Sequence, residues 1–196
     1  MAAFAGGLWL ASGRGGEPPA PAPQGMLWPN PPAVAPFSLT DQTGAPFSQD
    51  RLRGRWSLVF FGFTHCPHIC PATLQVLNAA VRELDKSGPF RDYGRVVLVS
   101  VDPDNDTPER MAQYLRGFNP DFEGLTGPKA EIERVGRDFG VVTGTTAGGE
   151  IDHSAAILVV DSLGRRVGVL SAPHDAATIA ARVAEMRAFV EANAGT

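Results

Sequence analysis

The chain has 196 residues, enough for one compact domain and a tail, with a formal net charge of −4 at pH 7 and a pI near 5.5. This acidic balance argues against nucleic acid as a partner. The sequence contains two cysteines, Cys66 and Cys70, so any thiol chemistry of this protein is confined to a single short stretch of chain.

The first 35 residues are predicted to lie outside the folded domain, which is assigned to residues 36–196. Residues 2–11 are apolar, but they are shorter than the about 20 residues that a membrane-spanning helix needs. They also lack the positively charged start of a signal peptide. Residues 13–36 are rich in proline, glycine and alanine, a composition typical of an extended linker.

The rest of the sequence alternates between strand and helix patterns. A hairpin is expected to begin at residues 37–44, followed by a strand at 57–63, a helix at 71–87 and a strand at 96–101. Helices at 108–118 and 128–139 precede a second hairpin, with strands 155–161 and 166–170, and a last helix at 175–192. This order predicts an α/β, thioredoxin-like fold with an N-terminal β-hairpin extension and a helical insertion.

Both cysteines lie between the apolar strand and the first helix, in residues 64–71. Side chains four residues apart share one face of a helix, and a helix N-terminus favours thiolate over thiol. Thiolates are soft ligands that prefer Cu(I), Zn(II) or iron–sulfur clusters. Three interpretations follow: a metal site, a redox dithiol and a structural disulfide. The disulfide is the least favoured, because closing so short a loop stabilises a fold little.

The spacing does not separate the metal site from the redox dithiol. Thioredoxin-type oxidoreductases place two residues between their cysteines. Here three residues intervene, a spacing that suits a chelating pair at least as well as a redox pair.

A two-sulfur metal site needs a further ligand for most metals, and imidazole is the commonest. The chain has four histidines. His65 and His68 flank the cysteines and are interpreted as exposed loop residues, while His174 is interpreted as a surface or capping residue before the last helix. His153 precedes the apolar strand at 155–160, but sequence distance alone does not bring it to the cysteines.

Three separated motifs resemble those of the Sco/SenC family and occur in the same order. They are residues 60–71 (FFGFTHCPHICP), 99–108 (VSVDPDNDTP) and 152–154 (DHS), within a similarity that spans roughly residues 36–190. Members of that family are thioredoxin-like copper chaperones that help to assemble the dinuclear copper centre of cytochrome c oxidase. The resemblance implies that Cys66, Cys70 and His153 bind copper, as Cu(I) or as Cu(II) with an added ligand.

The resemblance also implies partners and a location. The expected partner is the copper-site subunit of cytochrome c oxidase, with other periplasmic copper chaperones or thioredoxin-like reductants as further partners. The family commonly has a membrane anchor, so residues 2–11 are interpreted as the truncated remnant of one. This places the domain at the periplasmic, or extracytoplasmic, face of the inner membrane.

Two further positions are assigned to the surroundings of the copper site. By resemblance, Asp102 and Pro103 lie near the copper and contact a partner or tune the site. The alternative is that their loop only caps the following helix. At His68 the family usually has an acidic residue, and we hypothesise that His68 shifts the metal affinity or redox potential without replacing His153 as a ligand.

The leading function predicted from the sequence is a copper-binding metallochaperone rather than an enzyme with turnover. The alternative is a thiol–disulfide oxidoreductase that reduces the copper-ligand cysteines of its target, with Cys66 attacking and Cys70 resolving. His153 discriminates between them, because only a copper site depends on it. A copper store or sensor is a third interpretation.

Overall fold

The computed structural model describes residues 21–141, 144–145, 151–152 and 155–193. The strands are β1 Ser38–Asp41, β2 Pro46–Ser48, β3 Trp56–Gly62, β4 Gly94–Ser100, β5 Glu123–Thr126, β6 Gly144–Thr145, β7 Ile151–Asp152, β8 Ile157–Val160 and β9 Arg166–Leu170. The helices are α1 Ile69–Leu84, α2 Phe90–Tyr93, α3 Pro108–Arg116, α4 Lys129–Phe139 and α5 Ala176–Ala192. None of the helices in this described part is both long and apolar enough to span a membrane.

Seven strands form one sheet in the order β2-β1-β5-β4-β3-β8-β9, and β6 and β7 pair separately. The central strands β3, β4 and β5 are parallel, whereas β8 runs antiparallel to β3 and pairs with β9 as a hairpin. The β1–β2 hairpin adds to the far side of β5, and α4 is inserted after β5. The predicted thioredoxin-like architecture, with its N-terminal hairpin and helical insertion, is confirmed.

The central strand β3 is apolar along its length because both of its faces are covered. Alternate side chains point to opposite faces of a strand. Leu58 and Phe60 therefore join the core formed with α1 and α5, while Val59 and Phe61 join a second core on the side of α4. On that side the rings of Phe61 and Phe139 lie 5.7 Å apart. This burial on both faces fixes the end of β3, from which the cysteine loop leaves.

Four elements were missing from the sequence prediction: β5, α2 and the two short strands β6 and β7. The segment that forms β5 reads Glu-Gly-Leu-Thr, which lacks the run of branched residues typical of a buried strand. Its Gly124 lies against α3: a Cβ there would come 2.8 Å from the Cδ1 of Leu115. The strand is therefore defined by a tertiary contact that a local pattern does not contain.

Part of the predicted linker is packed along β9. Three backbone hydrogen bonds join this linker to β9: Leu27 N–H to Val167 O, Val169 N–H to Gly25 O, and Arg166 N–H to Pro32 O. A fourth runs from Val34 N–H to Gly164 O in the β8–β9 turn. On α4, the carboxylate of Asp138 accepts a hydrogen bond from the N–H of Ala35 at 3.2 Å. Residues 25–35 thus cover an edge of the sheet that would otherwise carry unpaired backbone groups.

The turn of the N-terminal hairpin is organised by the buried carboxylate of Asp41. It accepts hydrogen bonds from the N–H and hydroxyl of Thr43, from the N–H of Ala45 and from Arg51, whose Nη1 lies 2.6 Å away. Burial alone raises the pKa of Asp41, but the bonds from Thr43 and Arg51 outweigh it and lower the pKa to about 2. The ionised carboxylate therefore stabilises the folded chain.

We expect Asp41→Asn to reduce the free energy of unfolding at pH 7 by about 2 kcal/mol. The folded-state pKa is the lower one, so this contribution is fully present above about pH 4 and is lost as the pH falls toward 2. Urea unfolding of parent and variant between pH 7 and pH 2 measures it. Asp92→Asn, at an exposed residue, is the control, and a constant difference between Asp41→Asn and the parent would contradict the assignment.

Candidate metal centre

The two cysteines meet at the junction between β3 and α1. Cys70 lies in the first turn of α1 and is 0% exposed, while Cys66 lies in the preceding loop and is 8% exposed. The backbone N–H of Cys70 donates a hydrogen bond to the Sγ of Cys66 at 3.5 Å. The sequence prediction that one strand-to-helix junction carries both sulfurs is confirmed.

Gly62, the last residue of β3, allows Cys70 to sit against the strand. A Cβ at this position would lie 2.8 Å from the Sγ of Cys70 and 3.0 Å from the ring of Phe60. Contacts this short require the neighbours to shift, so a larger residue here would displace the buried sulfur.

The two thiols differ in acidity because their surroundings differ. Burial raises the pKa of Cys66, but hydrogen bonds from Cys70 and from the backbone of His68 and Ile69 outweigh it, and the net pKa lies below the ordinary value. Burial of Cys70 raises its pKa far above the ordinary value. Cys66 is therefore the thiol that ionises first and the better nucleophile of the pair.

A buried carboxylate, Asp106, ties the cysteine loop to the loop between β4 and α3. It is 0% exposed and accepts hydrogen bonds from the N–H of Thr64 at 3.1 Å, the Thr64 hydroxyl at 2.6 Å and the Ser100 hydroxyl at 2.6 Å. Arg110 Nε in turn donates to the hydroxyl oxygen of Thr64 at 2.9 Å. The position of Thr64, two residues before Cys66, is thus set from the neighbouring loop.

The predicted second loop, at Asp102 and Pro103, contacts the cysteine loop and also leads into a capped helix. His65 Nε2 lies 3.0 Å from the Oδ2 of Asp102, and Pro103 is partly exposed beside it. Thr107 caps α3, because its hydroxyl accepts a hydrogen bond from the N–H of Arg110. The capping interpretation therefore holds for Thr107, while Asp102 reaches the residue next to Cys66.

The histidines lie in different surroundings. His65 packs edge-on to Phe63, with ring centroids 4.9 Å apart, and His68 is exposed at the start of α1, where its side chain makes no capping hydrogen bond. His174 does not cap α5: the carboxylate of Asp175 does so by accepting the N–H of Thr178, and His174 instead contacts the carbonyl of Ala155.

His153 lies outside the described residues, so its predicted place beside Cys66 and Cys70 stays a prediction. Within the described part of the chain, no cluster of three or more histidine, cysteine, aspartate or glutamate side chains is arranged to hold a metal ion. Of the three predicted copper ligands, the structure describes the two sulfurs, which lie together at this junction.

The family model described as SCO1/SenC matches residues 28–188. The chain belongs to this family. It is 34% identical over 148 residues to the mitochondrial protein SCO2 of Saccharomyces cerevisiae, an alignment that covers 71% of this chain and 48% of that protein. The chain therefore spans about half the length of that relative.

Two solved structures of Sco proteins share the architecture. The crystal structure of Arabidopsis thaliana ScoI with copper bound is similar with a TM-score of 0.73 and 32% identity, over 79% of this chain and 98% of that one. BsSco, a member of the Sco family of cytochrome c oxidase assembly proteins in which a disulfide switch was identified, has a TM-score of 0.68 over 81% of this chain and 95% of that one. At 24% identity it shows the shared fold alone.

Sequence reasoning missed the part of Ser100 and Asp106 in this Sco domain. Both lie in a motif that was singled out, but the pattern Asp-Thr-Pro at 106–108 was explained by helix capping. The signal in the sequence was Thr107 directly before Pro108. A threonine at that position caps α3 by itself, so the carboxylate of Asp106 is not needed as the cap and can bind another partner.

We expect Asp106→Asn to destabilise the Sco domain by about 3 kcal/mol, because the new amide N–H group faces hydroxyl and N–H donors in a buried site. The cysteine loop should loosen with it, so Cys66 should react faster with iodoacetamide in the folded protein. Thermal unfolding and alkylation followed by mass spectrometry measure the two effects. Asp104→Asn, at an exposed residue of the same loop, is the matched control, and equal stability of the two variants would contradict the role of Asp106.

Proposed function

We propose that this chain is a copper-binding metallochaperone in which the thiolates of Cys66 and Cys70 and the imidazole of His153 bind copper. The observation that carries the proposal is the pairing of both sulfurs at one helix N-terminus, with the Cys66 Sγ accepting the N–H of Cys70. Such N–H groups stabilise thiolate, the form that binds a metal. The relative from Arabidopsis thaliana holds copper in its crystal structure.

The direction of β8 supports His153 as the third donor. β8 is antiparallel to β3, with Ile157 opposite Phe60, so the chain that precedes Ile157 leads toward the end of β3 from which the cysteine loop leaves. Ala155 is described at this end, and two residues of chain span at most about 7 Å. The short stretch of sequence between Ala155 and His153 supports the proposal that His153 is the third donor.

Two thiolates and one neutral imidazole suit Cu(I), which prefers soft ligands. Cys70 is buried and carries its proton at neutral pH, so copper binding should release that proton. A disulfide between Cys66 and Cys70 has no thiolate to offer, and copper binding therefore needs the reduced protein. Copper can then pass to a partner when that partner's ligands replace these donors one at a time.

The partner that fits this role is the copper-site subunit of cytochrome c oxidase, at the periplasmic face of a membrane. The segment before residue 25 would tether the domain to that membrane, since residues 25–35 are packed along β9. Membership of the SCO1/SenC family, whose members help to assemble the copper centre of cytochrome c oxidase, supports this partner. A partner that reaches Cys66 also meets the Asp102 loop, since His65 joins the two. We assign Asp102 and Pro103 to this contact.

A second function is favoured by the unequal acidity of the two thiols. In a thiol–disulfide oxidoreductase, the Cys66 thiolate would attack a disulfide of the target, and Cys70 would then displace the target thiol. The target disulfide gains two electrons and becomes a dithiol, while Cys66 and Cys70 become a disulfide that a thioredoxin-like reductant restores.

We expect one tightly bound Cu(I) per reduced chain and an affinity at least about ten-fold lower in His153→Ala, because the variant lacks the third donor. Anaerobic titration against a competing Cu(I) chelator measures both. His68→Asp, which introduces the acidic residue usual in the family, should shift the affinity by less than His153→Ala does. Copper binding that is indifferent to His153, with dithiol reductase activity intact in the variant, would overturn the chaperone and support the oxidoreductase.

The partner contact predicts a separate effect at the Asp102 loop. Asp104→Lys, at an exposed position of this loop, should leave the Cu(I) affinity unchanged but slow copper transfer about ten-fold. The reversed charge at the rim of the proposed interface changes the rate at which the two proteins associate. Transfer from the loaded protein to the isolated copper-site domain of the oxidase subunit is the measurement. Asp121→Lys is the control, because it makes the same charge change at an exposed residue just before β5, at the end of the sheet away from the cysteines. Equal transfer by both variants would contradict the contact.

A further inference from the structure

A groove of about 610 Å³ runs along α3 beside the cysteine loop. Its lining consists of polar and aromatic side chains from that loop, from the cap of α3 and from the first turns of the helix: Thr64, Thr107, Glu109, Arg110, Gln113 and Tyr114. The N–H of Cys66 donates a hydrogen bond to the carbonyl oxygen of Phe63 at 3.4 Å, so a single tight turn carries both Thr64 and Cys66. The groove therefore lies next to the turn that bears the more acidic thiol.

The guanidinium of Arg110 is held at one edge only. Its Nε donates a hydrogen bond to the hydroxyl oxygen of Thr64 at 2.9 Å, and that hydroxyl in turn donates to the buried carboxylate of Asp106 at 2.6 Å. The terminal nitrogens Nη1 and Nη2 make no hydrogen bond or ion pair with any residue that the structure describes. Two N–H donors of a guanidinium match the two oxygens of a carboxylate, and the bond through Nε orients them in advance.

The acidic side chain in the groove, Glu109, does not neutralise Arg110. Its carboxylate accepts hydrogen bonds from its own backbone N–H and from the hydroxyl of Thr107, and these bonds lower its pKa. Glu109 is therefore engaged at the N-terminus of α3, where the helix dipole favours a negative charge. The guanidinium of Arg110 has no direct carboxylate partner among the described residues.

Tyr114 gives the groove an aromatic wall. It lies four residues after Arg110 and so shares its face of α3. The Tyr114 hydroxyl is buried, so the groove is lined by the ring, which is fixed by an edge-on contact with Phe118 at 5.1 Å between centroids. A guanidinium beside an aromatic ring suits a side chain that has methylene groups and ends in a carboxylate.

The turn at residues 63–66 meets charges of opposite sign through its two central residues. His65 lies 3.0 Å from the carboxylate of Asp102, whereas Thr64 contacts the guanidinium of Arg110. An acidic side chain of a partner is repelled by Asp102 and attracted by Arg110, so one orientation of the partner over the turn is favoured.

We propose that this groove receives an acidic side chain, aspartate or glutamate, of the partner that accepts copper, with its carboxylate bound by the two terminal nitrogens of Arg110. The inference rests on the function proposed above and names the chemistry by which that partner is recognised. Arg110 binds no copper. It orients the partner beside the turn that carries Cys66.

The test uses the full chain with Arg110→Gln, Arg110→Lys and the matched control Arg116→Gln, which removes the same charge at the other end of α3. The probe is the isolated copper-site domain of the oxidase subunit. Association with the copper-free domain, the rate of Cu(I) transfer and the Cu(I) affinity are measured at about 0.02 M and about 0.5 M sodium chloride, because salt screens exposed charges. Alkylation of Cys66 by iodoacetamide reports whether the cysteine loop has loosened.

We expect Arg110→Gln to associate with the domain about ten-fold more weakly, and to transfer Cu(I) about ten-fold more slowly, at the lower salt concentration. The difference from the parent should shrink at the higher salt concentration. Arg110→Lys should recover part of the loss, because it keeps the charge without the planar fork. The Cu(I) affinity and the alkylation of Cys66 should stay at the parent values, and Arg116→Gln should match the parent throughout.

The inference is overturned if Arg110→Gln associates and transfers like Arg116→Gln, or if its loss is the same at both salt concentrations. It is also overturned if the loss is not recovered by lysine and comes with faster alkylation of Cys66. In that case Arg110 serves only to hold Thr64 and the cysteine loop.

The association measurement separates this inference from the proposed function, because it needs no copper. A parent that binds the domain but binds no Cu(I) tightly overturns the copper function, while the comparison of the Arg110 variants still decides the role of the groove. A parent that binds and transfers Cu(I), beside an Arg110→Gln variant that does so equally well, overturns only the role of Arg110. A parent that does not bind the domain overturns both the proposed partner and this inference.

Discussion

The buried carboxylate of Asp106 is the interaction on which the arrangement of the cysteine end depends. Parallel strands β3 and β4 bring two loops to one edge of the sheet, but parallel pairing alone does not fix how those loops meet. Asp106 does so, because it belongs to the loop after β4 and accepts the hydroxyls of Thr64 in the cysteine loop and Ser100 at the end of β4. It is also sealed from water. In a low-dielectric site such charge-assisted bonds are strong, so the cysteine loop leaves β3 in one direction.

That direction explains why the two sulfurs differ. The loop carries Cys66 over the first turn of α1, where it meets backbone N–H groups, and the helix carries Cys70 down against Gly62 and into the core. One strand-to-helix junction therefore produces an acidic thiol near the surface and a protonated thiol beneath it. This difference in acidity suits both the capture of a soft metal and the attack on a disulfide. The sulfurs alone therefore do not distinguish the two functions, whereas His153 does, because only copper binding needs its imidazole.

Much of this arrangement is readable in the sequence, because its signals are local. The apolar run of β3 and the Thr-Pro start of α3 each predict their element correctly, and both cysteines lie at the predicted strand-to-helix junction. What could not be predicted depends on tertiary contacts. Gly124 lies in β5 because it pairs with Leu98 of β4, where it packs against Leu115, and the burial of Asp106 follows from the approach of Thr64 and Ser100. His174 was assigned to the surface because no local pattern reports a bond to a backbone carbonyl 19 residues away.

The path of residues 25–35 along β9 decides where the N-terminal segment attaches. Gly25 pairs with Val169 near the end of β9 that adjoins Ile157 and Phe60, whereas Val34 lies by the opposite turn at Gly164. The polypeptide thus joins the folded body at the same pole as the cysteines. A segment that precedes Gly25 therefore leaves the folded body on the side of Cys66, and its distance from Cys66 does not include the width of the domain.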